Sequence, residues 1–307
     1  MNDSMPLAVL KGVPTEVRNP RTTEIDVLPT LEILRLINAE DTLVPAAVAE
    51  ALPQVAKAVD LEVEALRAGG RVHYFGAGTS GRLAVLDAAE LPPTFGIDPS
   101  LVVAHHAGGF GAISQAIENV EDDAALGASD AGDVNEGDVA VGITASGRTP
   151  YVVGALRAAA EAGAHTVLIS SNPAAAAGTE VEVHIAVDTG PEAVSGSTRM
   201  KAGTAAKLVL NAMSTTAMVR LGRTYSNLMV SMSALNSKLR GRLVKILVEA
   251  TGMDAETCET ALADAAGDTR TALVSLLCDV SPGRAAEALA GSGGSVREAM
   301  STIHGDA

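Results

Sequence analysis

The sequence predicts an α/β protein, a doubly wound parallel sheet followed by a smaller helical region. Three observations carry that reading. Short β-rich runs alternate with helical segments from residue 71 to residue 187, the first run breaks into a Gly-Thr-Ser loop that opens a helix, and beyond Arg199 only helical patterns continue.

Residues 1–23 mix Pro, Arg, Asn and Thr without periodicity, and they are expected to form an N-terminal arm, extended or disordered, of a kind that often wraps a neighbouring subunit. Leu31–Ile37 and Val44–Leu66 carry apolar residues at three- and four-residue steps, so two helices precede the first strand. Gly69 and Gly70 stop the second. The β-rich runs are Arg71–Phe75, Leu101–Ala104, Asp138–Thr144, His165–Ser170 and Val183–Val187. Helical segments between most of them make the sheet parallel, and ligands of such sheets sit beyond the carboxyl ends of the strands. Arg199–Leu221 and Asn227–Thr251 are expected as long helices, and Asp254–His304 as several short ones separated by Gly, Pro and Ser. The expected division is an arm over 1–23, a main domain over 24–240 and a small helical domain over 241–307, whose alanine-rich pattern suits packing or dimer support.

Composition excludes several classes. The 307 residues are 47% hydrophobic, enough for a sizeable core, whereas 2% aromatic content, no Trp and a net charge of −15 disfavour nucleic acid. No run of 18 apolar residues occurs, and the N-terminus lacks the basic-then-apolar layout of a secretion signal, so no membrane association and a cytoplasmic location are expected. Cys258 and Cys278 form no CxxC pair, and no His stands at zinc-ligand spacing, so neither a disulfide framework nor a structural metal is indicated.

The chemistry concentrates in three polar loops. Gly76, Gly78 and Gly81 match G-x-G-x-x-G, which raises the possibility of a dinucleotide turn. That turn needs an acid after the second strand, but Leu101–Ala104 is followed by His105, His106 and Ala107. Thr79 and Ser80 instead add hydroxyl donors to a helix N-terminus, which suits a terminal phosphate monoester. After the third strand Ser146-Gly147-Arg148-Thr149-Pro150 repeats the Ser-Gly-Arg order of Ser80-Gly81-Arg82, so two loops can share one phosphate. The plainer role for Ser146 and Thr149 is helix capping. In the third loop, Ser195 to Lys201, Ser195 and Ser197 are favoured over Arg199 and Lys201, which cannot share one helical face, so that one cation is expected to be merely solvated.

Carboxylates complete the picture. Glu90 precedes Pro92 and Pro93, which are expected to end its helix, and the run Glu118, Glu121, Asp122, Asp123 places Glu118 and Glu121 on one helical face. A solvated acidic face is the ordinary use of such a run. His105 and His106 are adjacent in a strand, so at most one faces a pocket.

Taken together, GAGTSGRLAVLDAAELPPTFG, IENVEDD, VGITASGRTPYVVGAL and SGSTRMKAGTAAKLVLNAMST resemble the N-acetylmuramic acid 6-phosphate etherase family over nearly the whole chain. The resemblance implies the sugar isomerase (SIS) fold, a three-layer αβα sandwich with a five-stranded parallel sheet and a small C-terminal all-α, UBA-like domain. It implies a cytoplasmic homodimer, in amino sugar recycling, that cleaves the D-lactyl ether of N-acetylmuramic acid 6-phosphate to N-acetylglucosamine 6-phosphate and D-lactate, a carbon–oxygen lyase reaction using no metal or organic cofactor. Glu90 matches the family's proton donor and Glu121 its base, with Gly78, Thr79, Ser80, Ser146, Gly147, Arg148, Thr149, Ser195 and Ser197 binding the sugar phosphate. The segment usually reading EGAED is Glu118-Asn119-Val120-Glu121-Asp122 here, Leu91 stands where a small residue is common, and His105 and His106 replace apolar residues. Burial against the two prolines is expected to raise the Glu90 pKa. An aldose–ketose isomerase and a phosphosugar-sensing regulator are the competing classes on the same fold.

Overall fold

A computed structural model describes residues 13–115, 117, 119–177, 180–232 and 237–305. Contacts divide the chain into two compact units, residues 1–88 with 100–214, and residues 89–99 with 215–307.

In the first unit, helices α1 (Thr30–Asp41) and α2 (Val44–Arg67) precede five strands: β1 (Val72–Gly76), β2 (Val102–His106), β3 (Val139–Ile143), β4 (His165–Ser170) and β5 (Val183–Ala186). All five expected strands form, within one or two residues of their expected ends. They pair in parallel in the order β2-β1-β3-β4-β5, with Gly76 opposite His106 on one side and Ile143 on the other. Every residue of β1 and β3 is buried, as a parallel sheet covered on both faces requires. The winding direction reverses between β1 and β3, and such a reversal opens a crevice at the strand ends.

Helices α3 (Gly78–Phe95), α4 (Gly111–Ser114), α5 (Ala124–Asp130), α6 (Pro150–Glu161) and α7 (Lys201–Arg220) follow the strands they serve. Phe75, Ala140 and Leu168 of the sheet pack with Tyr151, Val152, Ala155 and Leu156 of α6 to form one core. On α3, Asp87 accepts hydrogen bonds from Asn211 Nδ2 (2.6 Å) and Ser214 Oγ (3.2 Å) of α7 and from Tyr74 Oη of β1 (3.4 Å). These bonds fix the direction of α3 relative to the strand end that feeds it.

The described part of the N-terminal arm packs on its own chain. Asn19 Nδ2 donates to the Pro191 carbonyl, Thr22 Oγ1 to that of Ala193, and the Gly196 N–H to that of Thr15. The remaining arm residues lie outside the described ones.

In the second unit, α8 (Ser237–Thr251), α9 (Ala255–Asp264), α10 (Thr269–Cys278), α11 (Pro282–Gly291) and α12 (Val296–Gly305) enclose a core of Leu243, Leu247, Cys258, Leu273 and Ala299. Asp254, Asp268 and Ser281 cap three of these helices, each accepting the backbone N–H of the residue three positions on. Helix α8 begins later than the expected Asn227, because Tyr225 and Leu228 form an isolated antiparallel bridge around Ser226, whose φ is +51°. Helix α3 also differs from expectation. It runs through Pro92 and Pro93, which fall in its last turn, where few intrahelical N–H groups are lost, and ends on Gly96 at φ +61° with its N–H on the Pro92 carbonyl.

Candidate active site

The first loop is shaped by backbone contact between strand and helix. A Cβ on Gly76 would lie 2.7 Å from the Gly81 nitrogen, and one on Gly81 would lie 2.5 Å from the Gly76 carbonyl oxygen. Gly78, at φ +54°, turns the chain between them. The first N–H groups of an α-helix have no intrahelical partner, and here they belong to Gly78, Thr79 and Ser80 at the positive end of α3.

The loop after β3 stands beside it. Gly147 sits at φ +70° with its α-carbon against Ala175, where any Cβ would meet the Ala175 methyl at 2.1 Å. Thr149 takes the N-cap position of α6 without a side-chain capping bond, and Pro150 opens the helix. Thr149 Oγ1 is instead 2.7 Å from Thr144 Oγ1, and Ser146 Oγ accepts the Arg148 N–H at 3.2 Å. The repeated Ser-Gly-Arg order diverges in its arginines. Arg82 donates to the carbonyls of Ile113 (2.7 Å) and Ala112 (3.0 Å), and Arg148 is exposed and lines the cavity.

These loops bound a cavity of about 390 Å³, in the range of small-molecule sites, roughly 300–1,000 Å³. Gly78, Thr79, Ser80, Ser146, Arg148, Thr149 and Glu121 line it, all from the first unit. Thr198 of the third loop also lines it, as do Thr144, Ser170 and Ser171, which were missed; for these three, hydroxyl residues at the carboxyl end of a parallel strand were the available signal. Two helix N-termini, hydroxyls and a guanidinium around one volume make a site for a phosphate-bearing polar ligand.

The third loop is built differently. Ser195 Oγ is turned to the carbonyls of Glu16 and Val17 (3.4 and 3.2 Å), and neither Ser195 nor Ser197 lines the cavity, although their neighbours Gly196 and Thr198 do. The N-terminus of α7 is occupied by Glu192, which accepts the N–H groups of Lys201 (2.9 Å) and Ala202 (3.0 Å). Lys201 itself is fully buried, with Nζ 2.7 Å from Glu40 Oε2, while Arg199 is exposed. Arg21 completes the network through Nη2 at 2.8 Å, and its hydrogen bond, with that of Lys201, holds the Glu40 carboxyl down at about 2.

Glu121 lies at the cavity edge in a turn, not in the expected helix. Helix α5 starts only at Ala124, because Asp123 accepts the Leu126 N–H and caps it there. The Glu121 carbonyl accepts the Tyr151 N–H at 3.0 Å, tying this turn to the start of α6. Asn119 adopts φ +66°, a left-handed conformation that Asn tolerates better than most residues and that a Gly at this position would take freely. Glu118 lies outside the described residues. Glu90 belongs to the second unit and is exposed, so it is not buried against the two prolines as expected.

Residues 54–160 match the model of the glucokinase regulatory protein N-terminal SIS domain. An N-acetylmuramic acid 6-phosphate etherase of Thermobifida fusca is 63% identical over 272 residues, covering 89% of each chain. The chain belongs to the N-acetylmuramic acid 6-phosphate etherase family. The etherase of Cutibacterium acnes is 51% identical, covering 94% of this chain and 96% of that one. Among solved structures, a phosphoheptose isomerase from Francisella tularensis superposes with a TM-score of 0.48 at 19% identity, covering 62% of this chain and all of its own. Among the described residues, no helix is long and apolar enough to cross a membrane.

Proposed function

We propose that the protein cleaves the D-lactyl ether of N-acetylmuramic acid 6-phosphate with water, giving N-acetylglucosamine 6-phosphate and D-lactate. The observation that carries this reading is the cavity at the β1/β3 reversal, where two helix N-termini and their hydroxyl loops converge beside a carboxylate, Glu121, in a chain of this family. The C6 phosphate binds Gly78, Thr79, Ser80, Ser146 and Thr149, with Arg148 at the rim and Gly147 holding its loop in shape. Ser195 and Ser197 act through the loop that presents Gly196 and Thr198.

The reaction proceeds on the open-chain sugar. Glu121 removes the proton at C2, made acidic by the C1 aldehyde, and the electron pair left at C2 forms the C2–C3 double bond as the C3–O bond to lactate breaks. Glu90 donates a proton to the departing oxygen. Water then adds at C3 of the unsaturated aldehyde and a proton returns to C2, restoring the saturated sugar. General acid–base groups of this kind contribute about 10² to 10⁴-fold each. The protein works as a cytoplasmic homodimer.

Incubation with N-acetylmuramic acid 6-phosphate is expected to release one D-lactate per N-acetylglucosamine 6-phosphate. A new ketose phosphate with no lactate would instead identify an isomerase, and saturable binding without turnover a phosphosugar sensor.

A further inference from the structure

Away from the cavity, the fold assembles a second group of ligating side chains from three separate segments. His73, the second residue of β1, and His105, the fourth of β2, lie on one face of the sheet together with Phe75. His73 Nδ1 is 3.1 Å from His105 Nε2 and 3.9 Å from Asp133 Oδ1, in the turn after α5. The three ligand atoms all lie within 4.8 Å of one another. Two ligands bound tetrahedrally to one ion at about 2.1 Å stand roughly 3.4 Å apart, and the two measured spacings bracket that value.

The surroundings favour the neutral, oriented imidazoles that a metal needs. Burial is the main cause lowering the pKa of both histidines. The His73 ring is fully buried, and His105 is stacked on Phe75 with centroids 4.5 Å apart. The far nitrogen of His73, Nε2, makes no hydrogen bond but lies 3.4 Å from Asp138 Oδ2. Asp138 is itself fixed by the N–H groups of Arg71 (2.7 Å) and Asn135 (2.9 Å). The negative charge of Asp138 beside Nε2 favours the proton on that nitrogen and leaves Nδ1 unprotonated as the ligand atom. Asp133 uses its other oxygen, Oδ2, for Arg71 Nη1 at 3.4 Å, leaving Oδ1 toward the histidines.

We infer that His73, His105 and Asp133 form a binding site for a divalent transition-metal ion of the zinc, cobalt or nickel type, separate from the reaction cavity. Two imidazoles and one carboxylate select such borderline ions over magnesium or calcium, which prefer all-oxygen shells. The ion joins β1, β2 and the turn after α5 on one face of the sheet, whereas the cavity lies beyond the carboxyl ends of the strands. Its role is to brace the first unit. The Arg71 guanidinium, 3.8 Å from Asp138 Oδ2 and near Asp133, opposes the ion's charge and sets its affinity lower than the donor set alone would give.

The test uses the full, tag-free chain stripped with a chelator and titrated with cobalt(II), followed by visible absorption and by thermal unfolding. One cobalt per chain is expected, with ligand-field bands and a raised unfolding temperature. Asp133→Ala changes an exposed side chain, and it is expected to weaken binding at least about tenfold, as is His105→Ala. Arg71→Met is expected to tighten binding, and His165→Ala, at a surface histidine paired with Glu182, to leave it unchanged. Equal cobalt binding by the parent chain and Asp133→Ala, or loss in His165→Ala alone, overturns the site.

Discussion

The loops after β1 and β3 and the loop before α7 look alike in sequence, each a short mixture of Ser, Gly, Thr and Arg opening a helix, yet their donors are spent in different ways. At α3 and α6 the hydroxyl loops line the cavity, and the Thr149 N-cap makes no side-chain capping bond. At α7 Glu192 already accepts the first two N–H groups, Ser195 is turned to the arm, and Lys201 is sealed against Glu40. The first two loops, which line the cavity, are therefore expected to act on binding and turnover, and the third on stability.

The largest effect that separates them is expected at Glu121. Glu121→Gln should lower turnover by about 10² to 10⁴-fold while leaving the unfolding temperature unchanged, since the side chain is exposed. Normal D-lactate release by this variant would remove Glu121 from the chemistry. The converse holds for Lys201. Lys201→Met leaves Glu40 buried with Arg21 as its remaining cation, and losing one partner of a buried pair costs about 3–5 kcal/mol. Chemical denaturation should show that loss, and a Lys201→Met protein as stable as the parent would show that the pair contributes no net stability.

Acid should act on the same network. Glu40 titrates at about 2 in the folded protein against 4.5 unperturbed, so its stabilisation is complete above 4.5 and is lost as pH falls toward 2. At 1.36 kcal/mol per unit this is on the order of 3 kcal/mol, and Glu40→Gln should flatten that limb of the stability profile. Glu62 has the opposite sign. Complete burial pushes its carboxyl up to about 8, so the folded state is favoured below 4.5 and progressively penalised as pH rises toward 8. Glu62→Gln should then gain stability at the alkaline end, and denaturation of both variants across that pH range separates the two groups.

The sequence revealed the sheet because its buried strands are near-continuous apolar runs, and revealed the first two loops because a parallel strand that ends in Gly, Thr and Ser before a helix has one geometry available. It did not reveal the fate of Lys201. Glu40 lies 161 positions earlier, and no local pattern announces a partner at that separation. Pro92 and Pro93 misled for a related reason. Proline opposes a helix interior, but it is tolerated where the helix is about to end on Gly96, and only the closing Gly96 to Pro92 bond locates that end. The segment around Asn119 was readable as a departure from the family pattern, yet its backbone keeps a glycine-like φ. His73, His105 and Asp133 follow no metal-ligand spacing, since parallel pairing and a turn bring them together.

Ser80→Ala should come next in size. A hydroxyl that bonds a charged phosphate is worth about 1.5–3 kcal/mol, so KM should rise by roughly 10- to 100-fold with the unfolding midpoint in place. An unchanged KM would locate the phosphate elsewhere in the cavity.

The smallest effect, and the sharpest for the comparison, is expected at Ser195. Its hydroxyl faces two carbonyls of the arm, and a neutral hydrogen bond of this kind contributes about 0.5–1.5 kcal/mol net. Ser195→Ala should therefore lower stability by that amount, because both carbonyls face partial solvent and can be rehydrated. KM should stay within about twofold, since only the neighbouring Gly196 and Thr198 line the cavity and a stability loss near the lower end of that range displaces them little. Measured side by side with Ser80→Ala, the pair forms a crossover: one variant moves KM alone and the other moves the unfolding midpoint alone. A Ser195→Ala protein with a raised KM and an unchanged midpoint would turn that serine from the arm toward the sugar, and the third loop would then join the first two as a binding element.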